Sequence, residues 1–263
     1  MQNDFSKELK VAKRLALKAG KIMLEYFDAD QEIEIKSDNS PVTIADKLIN
    51  QMVIDVLTKS FPEDGVIGEE QSTSEYGMGR KWFCDPIDGT AGYIWGTPTA
   101  MFSLGLVIDG KSVLGVVYDP FLKRMYEGMK GKGSYCDGKR LHVSKSDLAN
   151  GIIAVSGSAR RIQKLQYIVE INKLGASLAT FSGGVYKACL VARGRFVGYV
   201  EHGINAHDLA AAQVIVEEAG GKITGLKGNV LDYSQPFKDA IVSNGKVHDQ
   251  LVKLVNDFPL ITK

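Results

Sequence analysis

Apolar residues recur every three or four positions at the start of the chain. Leu9, Ala12, Ala16, Ala19, Met23 and Tyr26 share one face of a 3.6-residue period, with lysines and acids on the other. That pattern predicts an amphipathic first helix. The polar run Lys36-Ser37-Asp38-Asn39-Ser40-Pro41 interrupts it and reads as a loop. Thr43-Ile44-Ala45-Asp46 then has the form of a capping box, opening a second helix with Ile49, Met52, Val53 and Val56 as its apolar stripe.

Beyond Pro62 the period changes. Val66-Ile67 and Trp82-Phe83-Cys84 are short apolar runs that end abruptly in acids. Met101–Ile108 and Val113–Tyr118 read as longer strands joined at Asp109-Gly110, a hairpin signal, and Asp137-Gly138 marks a second turn. This stretch predicts an antiparallel meander with two helices on one face. The second half alternates strand and helix. Strands are predicted over Ile152–Val155, near Ala179–Phe181 and over Phe196–Val200. Helices are predicted over Arg160–Leu174, Tyr186–Ala192 and Asp208–Ala219, the last closed by Gly220-Gly221. Ala240–Ser243 and Val247–Val255 close the chain. A soft boundary near residue 146 therefore separates an α+β half, 1–145, from an α/β half, 146–263. No linker, repeat or low-complexity segment marks it, so the halves are expected to pack closely.

Composition narrows the class. The chain has 263 residues, 44% hydrophobic and 24% charged, which excludes disorder and a repetitive fibre. The 32 lysines and arginines almost cancel 31 acids, so no overall basic bias favours nucleic acid as the main ligand. Three scattered cysteines, Cys84, Cys136 and Cys189, form no disulfide framework and read as small buried hydrophobes. The N-terminus lacks the apolar segment of a signal peptide, and no run approaches the ~20 apolar residues of a membrane span. A soluble cytoplasmic protein is expected.

The chemistry lies in acids that end elements. Gly68-Glu69-Glu70 follows one apolar run, Asp85-Pro86-Ile87-Asp88-Gly89-Thr90 follows the next, and Asp208 opens a helix after the strand that ends at Glu201. Three segments thus deliver carboxylates to places where they can converge. Pro86 restricts Asp85 and itself, and Gly89 frees the exit, so this turn can aim two carboxylates and the Ile87 carbonyl at one point. Such a cluster repels itself unless hard cations neutralise it, and Mg²⁺ is the natural partner of oxygen ligands. Taken singly, an Asp-Pro-x-Asp-Gly turn and a Glu-Glu pair are also ordinary surface features.

These residues resemble the inositol monophosphatase family of Mg²⁺-dependent, lithium-sensitive phosphatases. Trp82-Phe83-Cys84-Asp85-Pro86-Ile87-Asp88-Gly89-Thr90 is similar to its first signature, Gly68-Glu69-Glu70 to its upstream acidic element, and Asp208–Ala212 through Glu218–Gly221 to its second signature. The resemblance implies an α+β fold, a layered α-β-α-β-α sandwich of the inositol monophosphatase and fructose-1,6-bisphosphatase type. It implies that Glu69, Asp85 and the Ile87 carbonyl hold one Mg²⁺, and that Asp85, Asp88 and Asp208 hold a second, with two or three ions in all. It implies that Asp46 and Thr90 form a hydrogen-bonded pair which, with Glu69, orients the attacking water.

On the substrate side, the resemblance implies contacts from Asp88, Gly89, Thr90, Gly183, Gly184, Glu201 and Asp208. Lys36 matches a lysine near the metal-binding loop, or is a plain surface lysine. Glu201 matches a residue that meets a substrate hydroxyl, or closes a strand-end salt bridge. Ser158 matches a substrate-side serine. His207 replaces the usual Trp, either packing at a helix start or tuning Asp208.

Ala91-Gly92-Tyr93-Ile94 and Ser182-Gly183-Gly184 depart from the inositol enzymes. Gly183, Gly184 and Tyr186 lean towards histidinol-phosphate phosphatases, and Gly92 with Lys187 towards 3′-phosphoadenosine phosphate phosphatases. The expected activity is hydrolysis of a small phosphorylated alcohol or sugar. Inositol 1-phosphate comes first, then histidinol phosphate, then a nucleotide bisphosphate or sugar phosphate. Homodimers are common among relatives. Some bacterial relatives act in RNA-processing or transcription complexes, which gives a non-catalytic alternative.

Overall fold

The computed structural model describes residues 4–29, 33–36, 40–156, 162 and 164–259. Helix α1 (Ser6–Tyr26) buries Ala12, Ala16, Ala19 and Met23 of the expected stripe, with Leu15 beside them, while Leu9 and Tyr26 are half-buried. Helix α2 (Ile44–Ser60) starts at the expected capping box, with the Asp46 carboxylate accepting from the Thr43 N–H at 2.8 Å. Its buried face is Ala45, Ile49, Val53 and Leu57, while Met52 and Val56 are only half-buried. Between these helices, β1 (Ile33–Ile35) and β2 (Pro41–Thr43) pair antiparallel on either side of the expected loop, strands with no counterpart in the sequence reading. Residues 37–39 of that stretch lie outside the described residues.

The helices cover one face of a seven-stranded sheet. Its strands are β3 (Gly65–Gly68), β4 (Arg80–Asp88), β5 (Met101–Ile108), β6 (Lys111–Asp119), β7 (Arg124–Met129), β8 (Gly133–Cys136) and β9 (Lys139–Arg140), adjacent in that order. β3 and β4 are parallel, and every later pair is antiparallel. Asp109-Gly110 and Asp137-Gly138 both turn through positive φ, as the hairpin signals require. Side chains alternate across β4. Trp82 and Cys84 join the core under α1 and α2, whereas Phe83 faces the interior of the sandwich.

A second sheet contains β10 (Ile152–Val155), β11 (Ser177–Thr180), β12 (Gly198–His202), β13 (Lys222–Thr224) and β14 (Asp239–Ser243), ordered β11-β10-β12-β14-β13. β10 is parallel to both neighbours, and β14 is antiparallel to both of its own. β13 has no counterpart in the sequence reading. Helices α5 (Gly184–Ala192) and α6 (Ala206–Glu218) lie between the sheets, and α4 (Gln166–Lys173) and α7 (His248–Asp257) cover the far side. Residues 160, 161 and 163 of the helix expected from Arg160 lie outside the described residues. The result is an α+β sandwich of five layers, α-β-α-β-α. Its central core mixes Phe83 and Val117 with Tyr199, Leu209 and Ala211, so the two halves share one interior.

One contact fixes α6. Gly105, Gly115 and Gly128 stand opposite one another on β5, β6 and β7. A Cβ at Gly115 would come within 2.3 Å of the Ala211 carbonyl oxygen, and one at Gly128 within 2.9 Å of the Ile215 Cα. The alanine-rich helix therefore rests on bare backbone. The three cysteines are free and buried, as expected. Among the described residues, no helix is long and apolar enough to cross a membrane.

Candidate functional site

Parallel pairing of β3 with β4 brings their C-terminal ends to one edge. Gly68 pairs with Cys84, and the Glu69 N–H donates to the Cys84 carbonyl at 3.0 Å. Glu69 thus emerges beside Asp85. The register of β4 slips between Asp85 and Asp88, a bulge that accommodates Pro86 within a strand. Inside it, Asp85 accepts the Ile87 N–H at 3.0 Å. Gly89, at φ 86°, turns the chain into the short helix α3 (Thr90–Ile94).

Asp88 reaches across to the second half. Its carboxylate accepts the N–H groups of Gly184 at 2.8 Å, Val185 at 2.9 Å and Tyr186 at 3.3 Å. Those are the otherwise unpaired donors at the start of α5, where negative charge is favoured. Asp208 sits in the first turn of α6, two residues inside the helix rather than at its start. It accepts the Asn205 N–H at 2.6 Å.

These segments surround one cavity of about 610 Å³. Glu69, Asp85, Ile87, Asp88, Gly89 and Thr90 line it from the first half, and Gly183, Gly184, Glu201 and Asp208 from the second. Trp95, Ser156, Tyr199 and Asn205 also line it and were missed in the sequence. Tyr199 was findable, because it lies two residues before Glu201 and so shares its strand face. Its hydroxyl donates to Glu201.

Asp46 does not join this wall, and the expected Asp46–Thr90 hydrogen bond is absent. The Thr90 hydroxyl spends its one proton on the Ile87 carbonyl at 2.9 Å. One Asp46 oxygen is held by the Thr43 N–H and hydroxyl, and the other is buried without a protein partner. The capping box has claimed the residue.

Lys36 donates to Glu69 at 2.9 Å and to Glu70 at 2.6 Å, so it is paired rather than a plain surface lysine. His207 Nε2 stands 3.4 Å from an Asp208 oxygen. Ser158 lies outside the described residues.

Electrostatics single out the carboxylates. Burial, reinforced by the charges of Glu69, Asp208 and Asp88, holds the Asp85 pKa well above the usual carboxylate range. Burial and Asp208 push Asp88 up to about 7, against the pull of the α5 N–H groups. Burial also raises Asp208. Among the described residues, no three His, Cys, Asp or Glu side chains already stand as a closed metal-binding group. The donor chemistry nevertheless suits a hard cation: it is all oxygen, crowded with like charge and largely withdrawn from water.

The family model for the inositol monophosphatase family matches residues 4–259. The chain belongs to the inositol monophosphatase family. It is 32% identical over 264 residues to a fructose-1,6-bisphosphatase/inositol-1-monophosphatase of Aquifex aeolicus, covering 97% of each protein. It is 34% identical over 217 residues to a histidinol-phosphatase of Chlorobaculum parvum, covering 81% of this chain and 84% of that protein. An inositol monophosphatase structure from Thermotoga maritima superposes with a TM-score of 0.88 at 30% identity, covering 96% of this chain and 98% of the other. As a member of the inositol monophosphatase family, the protein is a phosphoric monoester hydrolase, and this family is in general metal-dependent.

Proposed function

We propose that this protein hydrolyses a small phosphate monoester with Mg²⁺, with inositol 1-phosphate as the first substrate. The observation that carries the reading is the meeting of Glu69, Asp85, Asp88, Asp208 and the Ile87 residue on one cavity wall. Glu69, Asp85 and the Ile87 carbonyl would hold one ion, and Asp85, Asp88 and Asp208 another. Bound there, such ions supply a more acidic water and neutralise charge on the leaving oxygen.

The protein's own groups do the rest. Glu69 accepts a proton from the attacking water. Thr90, its hydroxyl anchored on the Ile87 carbonyl, offers an oxygen lone pair to orient that water. Backbone N–H groups around Gly89 and Thr90 receive the phosphate. Gly183 and Gly184 keep the opposite wall free of side chains. Glu201 accepts a hydroxyl of the leaving alcohol. Asp46 acts one step removed, by fixing the start of α2.

A second substrate, histidinol phosphate, is favoured by one pairing. Trp95 and Glu201 line the same cavity, and an indole with a carboxylate suits a protonated imidazole. The test is phosphate release from inositol 1-phosphate, histidinol phosphate, 3′-phosphoadenosine 5′-phosphate and a sugar phosphate, each with Mg²⁺ and with chelator. Release that requires Mg²⁺ is expected, and the fastest ester names the substrate. No release from any ester defeats the reading. Lithium should inhibit, and insensitivity at high millimolar lithium would count against an inositol-type site.

A further inference from the structure

Lys187 is the largest charged side chain in the interior, only 1% exposed, on α5 behind the cavity wall. Among the described residues it forms no direct ion pair. Its Nζ donates to the Ser156 hydroxyl and lies 5.0 Å above the Tyr199 ring. A buried charge without compensation is costly, so this placement needs a reason.

The proton inventory supplies one. An ammonium only donates, so Ser156 accepts from Lys187 and must turn its own proton elsewhere. Lys187 meets Tyr199 directly, through the face of its ring rather than through Ser156. Tyr199 in turn donates to one Glu201 oxygen, and the His202 N–H donates to the other at 3.1 Å. The positive charge over the Tyr199 ring thus backs a hydroxyl that donates to Glu201. Burial lowers the Lys187 pKa below the ordinary lysine range, partly offset by the charges of Glu201 and then Asp88. Ser156, Tyr199 and Glu201 all face the cavity.

We propose that Lys187 is a positioning residue whose charge over the Tyr199 ring polarises the Tyr199 hydroxyl and so holds Glu201 fixed as the acceptor for the leaving group. Two of the Glu201 lone-pair sites remain open once its two partners are counted, and a substrate hydroxyl or cation takes one. A cation over the ring face makes the hydroxyl a stronger donor, so the ammonium acts at the cavity without touching substrate. This inference rests on the proposed reading that Glu201 meets the leaving alcohol.

The experiment compares Lys187→Met, Tyr199→Phe and Glu201→Gln with the wild-type protein. Each is assayed with Mg²⁺ on a polar ester (inositol 1-phosphate, or histidinol phosphate if that is turned over faster) and on phenyl phosphate, whose leaving group offers Glu201 nothing. Lys187→Met and Tyr199→Phe should each raise KM for the polar ester roughly tenfold, with kcat changed by less than about twofold. The ratio of kcat/KM between the two esters should fall accordingly. Lys187→Met combined with Glu201→Gln should be no worse than Glu201→Gln alone, because both act on one contact. Thermal unfolding identifies any variant that fails to fold, and Tyr199→Phe then decides, since it removes the hydroxyl while keeping core shape and charge.

Equal losses on both esters, a loss in kcat rather than KM, or additive double-variant losses would overturn the proposal. If Glu201→Gln raises KM while Lys187→Met and Tyr199→Phe do not, the Lys187 role alone fails. If Glu201→Gln changes nothing, the Glu201 reading fails and takes this inference with it.

Discussion

Gly89 and Gly183 lie back to back where the two halves meet. A Cβ on Gly89 would stand 3.0 Å from both the Cα and the nitrogen of Gly183, and both residues have positive φ, 86° and 98°. The turn after Asp88 and the turn before α5 approach as bare backbone, which lets Asp88 reach the α5 N–H groups. Gly183→Ala would put a methyl 2.7 Å from the Thr99 carbonyl oxygen and 3.1 Å from an Asp88 oxygen. It should lower stability by about 1–3 kcal/mol, from strain at positive φ and crowding, and cut turnover sharply. Urea unfolding and phosphate release measure the two effects. Unchanged values would mean that the turn has slack.

Asp85→Asn separates function from folding. Asp85 is buried among Glu69, Asp208 and Asp88, which already disfavour its charge. A neutral amide of the same shape should leave the unfolding temperature in chelator equal or higher. It should abolish turnover and remove the rise in unfolding temperature that Mg²⁺ gives the wild-type protein. Full activity in this variant would remove Asp85 from the site.

Trp95 provides an optical readout. The chain has two tryptophans: Trp82 is fully buried, whereas Trp95 lines the cavity and is 75% exposed. Substrate entering the cavity should shield the Trp95 indole and shift its emission to shorter wavelength. Trp95→Phe should abolish that shift, because Trp82 sits in a packed core and senses none of it. A shift that survives in Trp95→Phe would show that the ligand binds elsewhere or that the core itself rearranges.

His248 sets an acid limit on stability. It is buried, with Nε2 2.9 Å from the Thr224 hydroxyl and Nδ1 2.8 Å from the Ser243 hydroxyl. Thr224 already donates its proton to the Gly225 carbonyl, so it accepts from Nε2–H, and Nδ1 accepts from Ser243. The neutral ring fits this arrangement, and burial pushes its pKa down to about 4. Between that value and the ordinary histidine range near 6.5, the unfolded chain binds the extra proton. Stability should therefore be present above about pH 6.5 and fall as the pH drops towards 4. His248→Gln should flatten that slope in urea titrations at a series of pH values. An unchanged slope would place the acid sensitivity elsewhere.

Local signals were legible and non-local ones less so. The α1 stripe, the α2 capping box and the Asp109-Gly110 and Asp137-Gly138 turns are each written in a few adjacent residues, and each appears as read. β1, β2 and β13 are three residues long and carry no period to read. Asp46 shows how one residue supports two readings. Its spacing from Thr43 announces a cap, its place in the family pattern suggests a water-positioning pair, and the hydrogen bonds go to the cap. Lys187 was hidden for another reason. Its helix is apolar all round, and only three-dimensional packing shows that its charge is spent on a serine hydroxyl and two aromatic rings rather than on solvent.

The glycine row beneath α6 decouples two parts of this enzyme. With no side chains between helix and sheet, the seat of the acid-bearing helix is inherited from the spacing of the strands themselves. Residues around the cavity rim can then change, altering which alcohol is admitted, while the reactive end keeps its geometry. A methyl at Gly115 would do the reverse, wedging the helix outward and spreading the acids while leaving every rim residue intact.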